Sequence, residues 1–261
     1  MELFTVGSGS SGNCTCFQYK DTQFLIDAGL SGKRIQQGLA EFEVDPTKLK
    51  GILVSHEHND HILGVGVLAR RFNLPIYITE KTFVSCQAKL GKIESNQINF
   101  FEPNDKFQLG DVKIKAFSTH HDAVDPVGFS IYAKAQRTSI LTDTGMVDEI
   151  IMDSIYDSDT VIIESNHDEK MVEASRYPWS LKKRILGEKG HLSNKTAADV
   201  LLELLKGKTK RVLLGHLSQE NNFPQLAKIT VENALKEKKE QINNDYTLEV
   251  LPRGGVSPIY R

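Results

Sequence analysis

Five apolar, β-branched runs in this 261-residue chain each stop on a histidine or an aspartate. "FLID" ends at Asp27, "ILVSH" at His56, "KAFSTHH" at His120 and His121, "SILTD" at Asp143 and "RVLLGH" at His216. Short apolar runs bounded by turn residues read as buried strands. Binding residues gather where loops leave one edge of a sheet. Five strands ending this way is the pattern expected if all five ends meet at one site.

The rest of the chain fits that requirement. Further strand candidates are "LFTV", "FQYKDTQFLID" (read as one run), "PIYIT", "VGFSIYA", "TVIIES" and "TLEVL". Amphipathic stretches at residues 32–42, 62–72, 81–90, 196–205 and 224–238 read as helices, the last two with apolar residues at three- and four-residue steps. Gly29, Gly64, Gly145 and Gly215 punctuate the ends of runs. No Pro/Gly-rich linker or repeat divides the chain. The expectation is a single layered α/β or α+β domain over residues 1–261.

Composition narrows the function classes. A chain of this length buries a substantial core without staples, and Cys14, Cys16 and Cys86 are too few and too irregular for a disulfide framework. Cys14 and Cys16 would share a strand face, as two small buried apolar residues or as a metal pair. The first residues lack a basic start and a long apolar core, and no run approaches the roughly 20 residues of a membrane span. A cytoplasmic protein with no membrane partner is expected. The net charge of -2 gives no global basic field, although a local patch can still meet a polyanion.

Residues 56–61, "HEHNDH", hold three histidines, one Asp and one Glu. So many ionisable and imidazole groups at one place call for a cation. His56 and His58 are one residue apart and can reach the same ion from an extended segment. Asp60 and His61 lie beyond the turn and point elsewhere, so the loop offers two ligand sets. Two-metal hydrolytic sites place ions roughly 3.5–4 Å apart, and such a pair needs a bridging carboxylate, for which Asp143 is the natural candidate. His120 or His167, taken singly, reads as an ordinary hydrogen-bonded histidine.

"HEHNDH", preceded by "LIDAG" and followed by "HD", "LTDTG" and "LLGHLS", resembles the motif series of the metallo-β-lactamase superfamily, in the same order from Asp27 to His216. The resemblance implies a four-layer αβ/βα sandwich with the metal site at one edge of two sheets. It assigns His56, His58 and His121 to one metal, Asp60, His61 and His216 to a second, and Asp143 to the bridge. His121 is chosen over His120 because "HDA" matches the relatives. Asp27 would hydrogen-bond the ligand loop without touching metal. Two divalent ions are implied, manganese or zinc, with iron(II) as a third option. The segments "VGSGSSGN", "VIIESNHD", "YPWSLKKRI" and "GHLSN" resemble the YycJ/WalJ (VicX) group. That group implies bacterial cytoplasmic proteins associated with a two-component regulatory system, including 5′-to-3′ DNA exonucleases.

The expected function is a metal-dependent phosphodiesterase acting on DNA, or on RNA, through a two-metal-activated hydroxide, with Asp60 and His191 as catalytic residues. In nuclease relatives the matching "His-x-Ser" histidine lies close to the scissile phosphate, which places His191 there without making it a ligand. Ser11, Gly12 and Asn13 in "GSGSSGN" could cradle a phosphate or simply make a tight connection. Ser193 and Asn194 could present anion-binding amides or merely cap a helix. Arg176, Tyr177, Trp179, Lys182, Lys183 and Arg184 interleave basic and aromatic residues as a nucleic-acid surface does; a solvated helix face, with the aromatics packed away, is the alternative. Hydrolysis of a small cyclic phosphodiester, thioester or lactone, or a regulatory binding role with a structural metal, are the competing functions.

Overall fold

The computed structural model describes residues 1–242 and 245–261. The chain divides into two compact units: Met1–Ala116, Ala123–Val127 and Pro252–Arg261 form the first, and Phe117–Asp122 with Gly128–Leu251 form the second. The architecture is mixed α/β with two mixed sheets.

The first unit contains β1 (Glu2–Gly7), β2 (Cys14–Tyr19), β3 (Thr22–Ile26), α1 (Gly32–Ala40), β4 (Ile52–Leu53), α2 (Asn59–Ile62), α3 (Val65–Phe72), β5 (Ile76–Ile78), α4 (Glu80–Leu90), β6 (Ile98–Phe100), β7 (Lys106–Leu109) and most of β8 (Val112–Ser118). Its sheet runs β1-β2-β3-β4-β5-β6, antiparallel through β3 and parallel from β3 onward. β7 and β8 pair as an antiparallel hairpin. Phe4, Val6, Leu25, Ile35, Leu39, Ile52, Leu68 and Ile76 fill the core, with Cys14, Cys16 and Cys86 among them. Those three cysteines are free thiols, and burial pushes the Cys16 thiol up to about 12.

Three departures from the sequence reading have local causes. The single run 17–27 folds as β2 and β3, because Tyr19 pairs with Thr22 across a turn in which Lys20 is left-handed, φ 51°. The strand expected to reach His56 stops at Leu53: Val54 still donates to the Tyr77 carbonyl, but the Ser55 amide is captured by Asp27 Oδ1 at 2.8 Å. The helix expected over 62–72 is two pieces. Gly64 donates to the Ala28 carbonyl at 2.7 Å, which ends α2, and then opens α3.

The second unit contains β9 (Val127–Ala133, after its first residue), β10 (Gln136–Leu141), α5 (Glu149–Ile155), β11 (Thr160–Glu164), α6 (Glu169–Ala174), α7 (Trp179–Ile185), α8 (Asn194–Leu204), β12 (Arg211–Gly215), α9 (Pro224–Glu237) and β13 (Thr247–Val250). β9 and β10 are antiparallel, while β10, β11, β12 and β13 are successive parallel neighbours. Leu141, Ile163, Leu201, Val212, Leu214 and Val231 form the core. α8 and α9 match their apolar periodicity, with Ser193 capping α8 through the Thr196 amide and Pro224 opening α9. α5, α6 and α7 were not expected; they are short, and α7 buries no residue, so no apolar stripe announces it.

Candidate functional site

Each unit carries its own cluster of metal-capable side chains. In the first, Asp27 follows β3 with a left-handed backbone, φ 57°, a conformation Asp tolerates better than most residues. Its Oδ1 accepts from the Ser55 amide at 2.8 Å, and its Oδ2 accepts from Ser55 Oγ at 2.9 Å and faces His61 Nδ1 at 2.7 Å. An acceptor-only carboxylate fixes the proton on Nδ1 and leaves His61 Nε2 with its lone pair outward. Asn13 Nδ2 lies 3.1 Å from that Nε2 and Asp60 Oδ2 lies 3.4 Å from it. His56 Nε2 and His58 Nδ1 approach to 3.1 Å, so two imidazole nitrogens converge on one point.

The backbone of this loop is held from below. Asn13 N donates to the Asp60 carbonyl and Ala28 N to that of His61, both at 2.8 Å. A Cβ on Gly29 would overlap the Asp60 backbone, so the glycine that closes "DAG" is a requirement of close approach. Of the three "GSGSSGN" residues, Ser11 is exposed, Gly12 has φ 151° with no room for a side chain, and Asn13 is spent on the Asp60–His61 segment.

In the second unit the parallel register Leu141↔Ile163 and Glu164↔Gly215 brings the ends of β10, β11 and β12 to one edge. Asp143 and His216 follow their strands with left-handed backbones, φ 58° and 52°. Asp27, Asp143 and His216 thus share one device, a turn of the backbone just past the strand that re-aims the side chain at the edge. Asp143 Oδ2 is 3.0 Å from His216 Nδ1, and Oδ1 is 3.6 Å from His121 Nε2 and 3.8 Å from His191 Nδ1. His121 Nδ1 lies 3.1 Å from the Gly190 carbonyl, which makes Nδ1 the donor and turns Nε2 toward Asp143. Burial, opposed in part by Asp143, holds the His121 pKa below the usual histidine value. A neutral imidazole is the form that ligates metal. His120 turns away and meets Asp148 Oδ2 at 2.8 Å.

Glu164 belongs to this cluster and escaped the sequence reading. It is fully buried, accepts from the Thr144 and Leu192 amides, and faces His191 Nδ1 at 3.0 Å. The signal was present: β11 ends "IIE", an apolar run stopping on a potential ligand like the other five. His167 is also buried, with no hydrogen-bond partner for Nδ1 among the described residues, and burial pushes its pKa down to about 4. Ser193 Oγ meets Glu169 as well as capping α8. Asn194 is buried in an amide clasp with Ser165 and Asn222, next to Asn166 donating to the His216 carbonyl.

Imidazole and carboxylate donors without thiolate suit a divalent first-row ion; within the second unit His121, Asp143 and His191, and likewise Glu164, His191 and His216, bring three ligand atoms together, while the first unit offers the converging pair His56 and His58. A family model described as a beta-lactamase superfamily domain matches residues 22–217. The chain belongs to the metallo-β-lactamase superfamily. Within that superfamily of metal-dependent hydrolases it is 40% identical to the exodeoxyribonuclease WalJ of Streptococcus pneumoniae, over 92% of this chain and 90% of that one. It is 38% identical to the exodeoxyribonuclease YycJ of Bacillus anthracis, over 91% and 90%. The metallo-β-lactamase fold protein YhfI of Bacillus subtilis shares the superfamily fold at a TM-score of 0.70, with 18% identity over 98% of this chain and 99% of that one. Among the described residues no helix is long and apolar enough to cross a membrane.

Proposed function

We propose that the chain is a metal-dependent phosphodiesterase that degrades DNA from a 5′ end. The observation that carries this reading is the similarity to two exodeoxyribonucleases along nine-tenths of the chain. In this reading the two units work as one domain, supported by the superfamily match running through both. His56, His58 and His121 are assigned to one divalent ion, Asp60, His61 and His216 to a second, and Asp143 to both. The mix of imidazole and carboxylate supports manganese or zinc, with iron(II) compatible with the same donors.

When bound, the ions would neutralise phosphodiester charge and acidify water. The chain's own residues do the rest. Asp27 orients His61 through Nδ1. Glu164 does the same for His191, so Nε2 takes up a proton as a base and, in the imidazolium form that results, gives it to the leaving oxygen or shares it with a phosphate oxygen. Ser11 and Gly12 border the substrate, while Asn13, Ser193 and Asn194 contribute by holding the loops that do. A cytoplasmic location and a functional link to a two-component regulatory system complete the reading, on the support of the YycJ/WalJ resemblance.

End-labelled single- and double-stranded DNA and RNA, incubated with Mn2+ or Zn2+ beside an Asp60→Ala control, test it. Linear DNA should shorten progressively from the 5′ end while closed circular DNA survives. Equal cleavage of both forms, or turnover of thioesters alone, would overturn it.

A further inference from the structure

α7 and the turn that follows it stand beside the second cluster. α7 buries none of its residues. Trp179, the one tryptophan in the chain, is 75% exposed, and Leu186 is 41% exposed. Trp179, Lys183 and Leu186 are spaced i, i+4, i+7 and so lie on one helical face. Residues 176–189 carry five cations, Arg176, Lys182, Lys183, Arg184 and Lys189, against Glu188 alone, a local charge of +4 in a chain of net -2. Tyr177 behaves differently: it is half-buried and bonds to Asn221.

The exposed helix is also anchored to the cluster's backbone. His191 N donates to the Ile185 carbonyl at 3.1 Å and Gly190 N to that of Gly187 at 2.8 Å. A Cβ on Gly190 would overlap the Arg184 and Ile185 carbonyls, and one on Gly145 would overlap the Gly187–Glu188 backbone. The Gly190 carbonyl meets His121 Nδ1 at 3.1 Å, and Arg184 pairs with Asp122. Whatever rests on Trp179 is therefore held at a set offset from His121, Asp143 and His191.

We propose that α7 is a stacking platform for unpaired bases of the nucleic-acid strand. Trp179 seats one base, and Lys183, Arg176 and Lys189 meet the flanking phosphates. The charge of the face selects a polyanion, and an exposed indole between cations suits a base with a bare π-face, which a paired duplex does not offer. This rests on the phosphodiesterase reading and adds to it that the enzyme engages single-stranded DNA or a frayed end.

Because Trp179 is alone, its fluorescence reports on this face directly. The full chain is titrated with a hydrolysis-resistant phosphorothioate oligothymidylate of about 12 nucleotides, and with an abasic strand of equal length. Saturable quenching by the first and little by the second is expected, with affinity falling steeply as salt rises. By anisotropy of a labelled strand, Trp179→Ala should bind about tenfold more weakly and Trp179→Phe, which keeps a stacking face, should recover most of the loss. Lys183→Glu should weaken both strands alike. Unchanged fluorescence at saturation, or equal binding by Trp179→Ala and wild type, overturns the platform, as does fluorescence that follows only the protein's own concentration, which would mark the face as a contact between copies. If the wild-type chain degrades DNA while Trp179→Ala binds normally, the platform alone falls. If it neither binds nor degrades any strand, the phosphodiesterase reading falls with it.

Discussion

In the first unit His56, His58, Asp60 and His61 come from a single loop. In the second, His121, Asp143, Glu164, His191 and His216 come from five separate segments, three of them the ends of adjacent parallel strands. The local cluster depends on one close backbone approach, at Gly29, and on one buried carboxylate, Asp27. The assembled cluster depends on the register of a buried sheet, which many residues share. Short-range clusters concentrate their support in few atoms, so single substitutions should damage them more.

The largest expected effect follows from that difference. In Gly29→Ala the new Cβ has only backbone to displace, so the 56–61 loop must move. Bound metal and nuclease activity should fall to background, and stability should drop by about 1–3 kcal/mol, read by metal analysis and thermal unfolding. Metal content equal to wild type would show that the loop does not need this approach.

Asp27→Asn keeps the left-handed backbone, which Asn also tolerates. Its amide cannot accept from Ser55 and from His61 Nδ1–H together. Metal affinity should fall about 10–100-fold, measured by chelator competition, with the fold intact by circular dichroism. Affinity within a factor of two of wild type would mean His61 keeps its orientation without the carboxylate.

His191→Ala probes the assembled cluster. It should keep its metal and fold while losing at least about tenfold in turnover, the lower side of what general acid help supplies. Loss of metal would make His191 a ligand, and near-normal turnover would return it to a loop-capping role.

The smallest effect concerns pH. His167 stays neutral when folded, with a pKa of about 4 against 6.5 in the open chain, because burial excludes the charged form. Between those values the unfolded chain binds the extra proton, so stability rises with pH through this window and is lost as pH falls toward 4. From pH 7 to pH 5 this residue should account for about 2 kcal/mol. In His167→Gln the difference in melting temperature between those pH values should shrink; an unchanged difference would show that other groups set the slope.

Legibility followed the same division. "HEHNDH" declares itself because its donors are neighbours in the chain. Asp143 and His216 were legible because apolar runs end just before them. Glu164 shares that signature, but its tie to His191 joins positions 27 residues apart, which no local pattern records. β6 and β7 went unseen because they are short and only partly buried, and hydrophobic periodicity exists only where burial enforces it.

The amino-acid order alone carried the donors that follow β3, β10 and β12, the "HEHNDH" loop and the superfamily to which the chain belongs, because apolar periodicity and residue type are local properties. Tertiary structure alone decided that His120 meets Asp148, that Asn13 and Asn194 are spent on holding loops, and that Trp179 stands in solvent rather than in a core. Each of those outcomes turns on which way a side chain faces once distant segments have packed, and that direction is set by neighbours the sequence does not place next to it.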